Sequence, residues 1–179
     1  IRYLMEIFDI KKAYICIKSK YKDIKLVYHE LLKGYENIEV KCVKNYYPQG
    51  WEIAMIKEAL GIETPSGHLP SEYGIMNFNV STIVGIYKAL RHNMPVVKRN
   101  ITITGDGIKY PKNFRVVVGT PLSDLIPLCG GYKDENFDKV FIMGGPMMGA
   151  SVPSDDVIIT KTVTSIIVLN KKDYIEEPC

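Results

Sequence analysis

Between Asn45 and Gly67 the sequence reads N-Y-Y-P-Q-G-W-E-I-A-M-I-K-E-A-L-G-I-E-T-P-S-G, and this stretch holds the residue types best able to form a ligand site. Pro48 fixes φ and lacks an amide donor, whereas Gly50 lets a ligand or a second backbone come close. Apolar Ile53, Ile56 and Leu60 then recur at three- and four-residue spacing, which predicts a short helix. Gly61 ends that helix and Pro65 prevents it from resuming. A constrained turn feeding a helix N-terminus directs amide groups and partial positive charge at whatever lies above it. Glu52 falls in the first turn, where the helix dipole also favours a carboxylate. A stable turn with a dipole-complementing acid accounts for the same residues without any ligand.

A second turn-to-helix junction follows. Gly74 to Val80 reads as an extended run, and Asn79 or Ser81 can cap a helix over Thr82 to Leu90. Asn79 is equally at home as a cap or an Asx-turn residue. The elements that must position these junctions lie upstream. Residues 1–9 read as the end of a helix, Ala13 to Ile17 as a buried strand, 21–33 as a helix stopped by Gly34, and Ile38 to Val43 as a strand with one wet face. Helix, strand, helix, strand predicts a parallel pair joined by a crossover. The junctions at 47–52 and 79–82 then each follow a strand and converge on a crevice at the carboxyl edge of the sheet, where open α/β sheets bind ligands.

The texture changes near Val97, which is the expected domain boundary. A β-branched run from Arg99 enters the Gly105-Asp106-Gly107 turn and returns through Asn113 to Thr120. Pro121 is placed to start a short helix at Leu122, capped by Thr120 and ended near Pro127. Another strand covers Lys139 to Met143. A hairpin, a helix across it and a further strand describe a small β-grasp-like module over 98–155. Its core candidates are Ile101, Ile103, Val116, Val118, Leu125, Val140 and Ile142. The Gly144-to-Gly149 run lacks the lysine and spacing of a phosphate loop and reads as a tight turn. Residues 157–169 are expected to return as strands to the first domain or to a partner, and the end of the chain to act as a charged linker.

Composition narrows the class of function. The 179 residues carry a formal net charge of +3 with both signs interspersed, too weak a bias to argue for nucleic acid. No run approaches the roughly 18 consecutive apolar residues of a membrane span, and no signal peptide is visible. The chain opens without methionine and closes on Glu176-Glu177-Pro178-Cys179, which suggests a piece of a longer protein. Cys16, Cys42, Cys129 and Cys179 form no C-x-x-C pair. Their spacing suits a reducing compartment, with Cys16 and Cys42 as small buried hydrophobes. His29, His68 and His92 lie apart in sequence, and no nucleophile–base pair, metal cluster or carboxylate pair stands out.

Taken together, Tyr47-Pro48-Gln49-Gly50, Pro65-Ser66-Gly67 with Leu69-Pro70, Thr104-Gly105-Asp106, Gly119-Thr120-Pro121 and Gly144-Gly145-Pro146-Met147-Met148-Gly149 occur in an order that resembles the C subunit of the Rnf electron-transport complex. That family is similar to the flavin-carrying, NADH-oxidising subunit of complex I. The resemblance implies an α/β fold: a Rossmann-like flavin and NADH domain over 1–97, then a soluble-ligand-binding β-grasp (SLBB) domain over 98–155. Residues 156–179 would lead to a ferredoxin-like domain. It further implies FMN, NADH and two 4Fe-4S clusters in the intact protein, with Cys179 as the first cluster ligand there and none of these groups held by residues 1–179 alone. Tyr47, Gly50, Glu52, Asn79 and Thr82 match the positions that line the flavin and nicotinamide pocket. The implied partners are the other subunits of a membrane complex, with ferredoxin as the ultimate electron partner, and the implied place is peripheral, on the cytoplasmic face of the membrane. The chain departs from the family at Trp51, where a small residue, usually glycine, is expected, at His68, which replaces a glycine, and at Phe78 and Ser81, which replace an asparagine and a glycine. An indole at position 51 is expected to crowd a ring stacked over the turn. The alternative implied function is a docking or quinone-binding module like the quinone-reactive subunit of the sodium-pumping NADH dehydrogenase.

Overall fold

A computed structural model describes residues 1–171, so Cys179 lies outside the described residues. The chain is mixed α/β and divides into two compact units, Ile1–Asn93 and a second beginning at Met94, a boundary slightly earlier than the one read from sequence.

In the first unit, α1 (Arg2–Ile7), β1 (Ala13–Lys18), α2 (Lys22–Leu31), β2 (Ile38–Val43), α3 (Glu52–Leu60) and α4 (Val80–His92) follow one another. Strands β1 and β2 are parallel, in register from Ala13 opposite Ile38 to Lys18 opposite Val43, with α2 as the connection. Ile17, Ile38 and Val43 are buried, and Met5 of α1 and Ile56 of α3 join them. Each such side chain contributes about 1.5–3 kcal/mol by leaving water. The predicted stop of α3 is realised at Gly61, which takes the left-handed conformation at φ 72°.

Three expectations for this unit are corrected. Residues 75–79 form no strand, so among the described residues the sheet of this unit has two strands. Two asparagines in that run favour local turn and cap bonds over a ladder, and the Asn79 side chain is engaged in this way. Cys42 is exposed and Cys16 only half-buried. Cys42 shares a face with Ile38 and Val40, and that face opens progressively toward the end of β2.

The second unit contains β3 (Lys98–Thr104), β4 (Lys112–Val117), β5 (Lys139–Met143), β6 (Ala150–Val152) and β7 (Ser165–Asn170). They form one sheet in the order β4-β3-β7-β5-β6. β3 and β4 are an antiparallel hairpin, β7 runs parallel to β3, and β5 is antiparallel to both β7 and β6. The last strand therefore sits at the centre of the sheet. Residues 157–170 do not leave the module as return strands. Ile159, Val163, Ile166 and Val168 belong to its core alongside Ile101, Ile103, Val116, Leu122 and Leu125. Gly105 permits this insertion, since a methyl group there would collide with the Val168 carbonyl.

The core list read from alternation is right on β3 and inverted on β5. Phe141 is buried, whereas Val140 and Ile142 on the opposite face are half-buried, as is Val118. No α-helix forms at Leu122. A string of turns, with the Leu125 and Ile126 amides both donating to the Leu122 carbonyl, leads into one 3-10 turn at Pro127–Cys129. Thr120 does not cap it; its carbonyl instead accepts from the Ile159 amide at 2.9 Å, tying this segment to the returning chain.

Candidate functional site

The turn between β2 and α3 is held from several directions. The Lys44 amide at the end of β2 donates to the Glu58 carboxylate of α3 at 2.8 Å, which draws the strand end against the helix. Within the turn the Gln49 amide donates to the Tyr46 carbonyl at 3.2 Å, and the Trp51 amide to the Pro48 carbonyl at 2.7 Å. The Tyr47–Pro48 peptide is cis. Gln49 is 1% exposed, and its Nε2 donates to the Ala54 carbonyl at 3.3 Å, so its side chain lies along the first turn of α3. Its Oε1 is buried with no protein partner among the described residues. Neither Gln49 nor Glu58 stands out in the sequence: a glutamine between Pro and Gly reads as a polar loop residue, and only the fold shows that it is buried.

This locked turn presents open groups to solvent. A methyl added at Gly50 would meet no atom within 4 Å apart from the flanking residues, and the residue is exposed. Tyr47 is 64% exposed and Trp51 44% exposed. Trp51 is the N-cap of α3 and supplies no side-chain capping bond, so the helix begins with its first amides uncapped. Glu52 is half-buried in that first turn, and no ion pair or hydrogen bond engages its carboxylate among the described residues. The arrangement offers amide donors, one free carboxylate acceptor and two exposed aromatic faces around a bare glycine.

The second junction differs. Asn79 is the N-cap of α4, and its Oδ1 accepts from the Ser81 amide at 2.9 Å. Its carbonyl also accepts from the amides of Thr82 and Ile83, at 2.9 and 3.1 Å. This helix start is closed by its own side chain. Asn79 and Thr82 are both exposed, and among the described residues no hydrogen bond or ring contact links them to Tyr47, Gly50 or Glu52. An apolar hollow of about 380 Å³ lies beside β1, lined by Met5, Ile15, Tyr28, Ile56, Phe78 and Val80 among others, and none of the five predicted site residues lines it. Among the described residues no group of three His, Cys, Asp or Glu side chains is placed to hold a metal ion. No helix there is long and apolar enough to cross a membrane.

Residues 1–88 match the family model described as the Nuo51 FMN-binding domain, and residues 100–151 match the SLBB domain. The chain is 37% identical over 176 residues to the C subunit of the proton-translocating ferredoxin:NAD(+) oxidoreductase complex of Clostridium ljungdahlii, covering 97% of this chain and 37% of that protein. It is 33% identical over 176 residues to the C subunit of the ion-translocating oxidoreductase complex of Rhodobacter capsulatus, covering 95% of this chain and 33% of the relative. The C subunit of the Na(+)-translocating ferredoxin:NAD(+) oxidoreductase complex of Acetobacterium woodii is 32% identical over 172 residues, covering 96% and 38%. This chain belongs to the C-subunit family of the Rnf-type ion-translocating oxidoreductase complexes. It spans about a third of the length of these curated relatives.

The residues of the turn fit a flavin or nicotinamide ring. Outside the two flanking residues, no atom lies within 4 Å of a methyl placed at Gly50. The free Glu52 carboxylate suits an N–H donor on such a ring, and exposed Tyr47 and Trp51 suit its faces. The unengaged side chains are thus those of Tyr47, Trp51 and Glu52, whereas Asn79 performs the capping role that its residue type also predicts.

Proposed function

We propose that this chain forms the flavin- and nicotinamide-facing part of a C subunit that takes electrons from NADH. In this reading the subunit delivers them, through iron–sulfur clusters, toward ferredoxin in a membrane complex coupled to ion transport. The observation that carries it is the locked Pro48-Gln49-Gly50 turn opening onto the uncapped start of α3, at the carboxyl end of a parallel strand and inside the segment that matches an FMN-binding family. FMN, when bound, supplies hydride acceptance and one-electron release. The chain's own residues bind and orient. Gly50 admits a ring close to the backbone, and Tyr47 and Trp51 shield that ring from water. Glu52 accepts a hydrogen bond from the nicotinamide carboxamide and sets its rotation; hydride transfer at the flavin needs no general base. Asn79 fixes the start of α4, which carries Thr82. Cys179, beyond the described residues, is proposed as a cluster ligand in the intact protein. The other subunits of the complex would hold this one at the cytoplasmic face of the membrane.

The test is NADH-dependent flavin reduction in the whole C subunit with Glu52→Ala, followed by stopped-flow absorbance. Loss of a hydrogen bond to a charged group, about 1.5–3 kcal/mol, lowers the rate or the NADH affinity roughly 10- to 150-fold, with the melting temperature nearly unchanged. Wild-type behaviour of this variant overturns the assignment. The exposed aromatics also suit the quinone-binding alternative, which predicts that a quinone binds the chain and that Glu52→Ala leaves this binding intact.

A further inference from the structure

The backbone of β1 is satisfied on one edge only. The Ala13 amide donates to the Asn37 carbonyl at 2.9 Å and the Ser19 amide to the Val43 carbonyl at 2.8 Å. In a parallel pair each bonded residue turns both its N–H and its C=O toward the same neighbour, and the next residue turns both away. Ala13, Ile15 and Ile17 therefore face β2, and Tyr14 and Cys16 direct their amides and carbonyls to the other edge. Among the described residues no strand pairs there. Tyr14 and Cys16 are half-buried, and backbone groups withdrawn from water are costly without a partner.

The apolar hollow of about 380 Å³ runs along this same edge. Every residue from Lys12 to Cys16 lines it, and no residue of β2 does. Successive side chains of a strand point to opposite faces, so a space reached by five in a row lies along the strand's edge. The consecutive run from Gly74 to Phe78 lines it too, with Met5, Ile56 and Ile83 from three helices. Met76, Phe78 and Val80, also in its lining, remain exposed. The first unit is short of core as well. Among the described residues its buried apolar side chains are Met5, Ile17, Ile38, Val43 and Ile56, five in 93 residues, against thirteen in the core of the second unit.

We propose that the outer edge of β1 is a docking edge for a β-strand from the part of the C subunit outside residues 1–179. Tyr14 and Cys16 form backbone hydrogen bonds with that strand, and the hollow takes its side chains. The curated relatives, of which this chain spans about a third, have the length to supply it. Five residues of β1 correspond to a paired length of about 16 Å. Apolar groups border both faces of the edge, so the incoming segment is a continuous apolar run rather than an alternating one. This inference does not depend on the ring site.

Site-resolved hydrogen–deuterium exchange on residues 1–179 and on the purified whole C subunit tests it. The Tyr14 and Cys16 amides should exchange on the order of 100-fold more slowly in the whole subunit, whereas Ile15 and Ile17, already bonded to β2, should change less than about tenfold. Ala59 lines the hollow, and Ala59→Phe places a ring in it. In the whole subunit this variant should speed Tyr14 and Cys16 exchange roughly tenfold or more while Ile15 and Ile17 stay slow. Equal rates for Tyr14 and Cys16 in the two wild-type forms overturn the docking edge, and so does an equal change at all four amides. Protection that rises with the concentration of residues 1–179 assigns the edge to a second copy, and protection only in the assembled complex assigns it to another subunit; either overturns the proposal. Unchanged exchange in Ala59→Phe overturns the part given to the hollow.

Discussion

Replacing Gly50 by alanine should stabilise the first unit while weakening its hold on a ring. The two effects come from different features of the same residue. Gly50 is not in the left-handed conformation, and apart from its flanking residues a methyl group there would meet no atom within 4 Å. Alanine is therefore accommodated without strain, and its main effect is to reduce the freedom of the unfolded chain, worth about 0.4–1 kcal/mol. For a unit of 93 residues that corresponds to a rise in melting temperature of roughly 2–8 °C. The tryptophan next to it provides a fluorescence signal for that transition. A ring seated against the bare backbone, however, loses its closest approach. Alanine should weaken FMN binding several-fold, and Gly50→Val roughly tenfold or more, since the branched side chain occupies the space that is open in the native turn. Calorimetry on the whole C subunit carrying the same substitutions reads the binding. A lowered melting temperature in Gly50→Ala refutes the conformational argument, and wild-type affinity in Gly50→Val refutes an approach at this residue.

In the second unit, Gly105→Ala forces the Val168 carbonyl to move, disturbing the hydrogen bond it accepts from Gly107 at 2.9 Å. It also places alanine at φ 121°, so about 3–5 kcal/mol should be lost. Gly119→Ala, with φ 99° but open space around it, should cost only about 1–2 kcal/mol; equal losses in urea unfolding would show that contact with β7 is unimportant. Ile166→Ala should destabilise the same unit by about 2–5 kcal/mol, because Ile166 is fully buried in the central strand, and a change below about 0.5 kcal/mol would remove β7 from the core. Burial and a 2.6 Å hydrogen bond donated to Asp155 hold the Tyr132 phenol well above its ordinary value. Its contribution is therefore complete below about pH 10, where tyrosine in the unfolded chain ionises, and declines as pH rises beyond that. Tyr132→Phe removes the ionising group, so its stability should fall less steeply above about pH 10 than that of the wild type; an identical slope in urea unfolding against pH counts against the burial argument.

Much of the local structure is legible from residue order because it depends on neighbours. The apolar spacing from Ile53 to Leu60 and the glycine after it specify α3 and its stop, and Asn79 caps α4 through a bond two residues away. The β3–β4 hairpin is local in the same sense, and its alternation correctly assigns Ile101, Ile103 and Val116 to the core. The motifs also lead to the family, because their order along the chain is itself a sequence property.

Tertiary structure decided what depends on distant partners. Ser165–Asn170 pairs with β3 across a long stretch of chain and with β5, and nothing in its β-branched composition says that it fills the gap between them. Which face of β5 is buried follows from that insertion, so Phe141 rather than Val140 and Ile142 joins the core. The same holds at the site. Tyr47, Gly50 and Glu52 are near neighbours in sequence and share one turn, but the burial of Gln49 and the reach of Glu58 to Lys44, which fix that turn, appear only once α3 folds back along β2. Sequence alone determines which groups the turn carries; packing against the helix determines that they are held still and left open to a ligand.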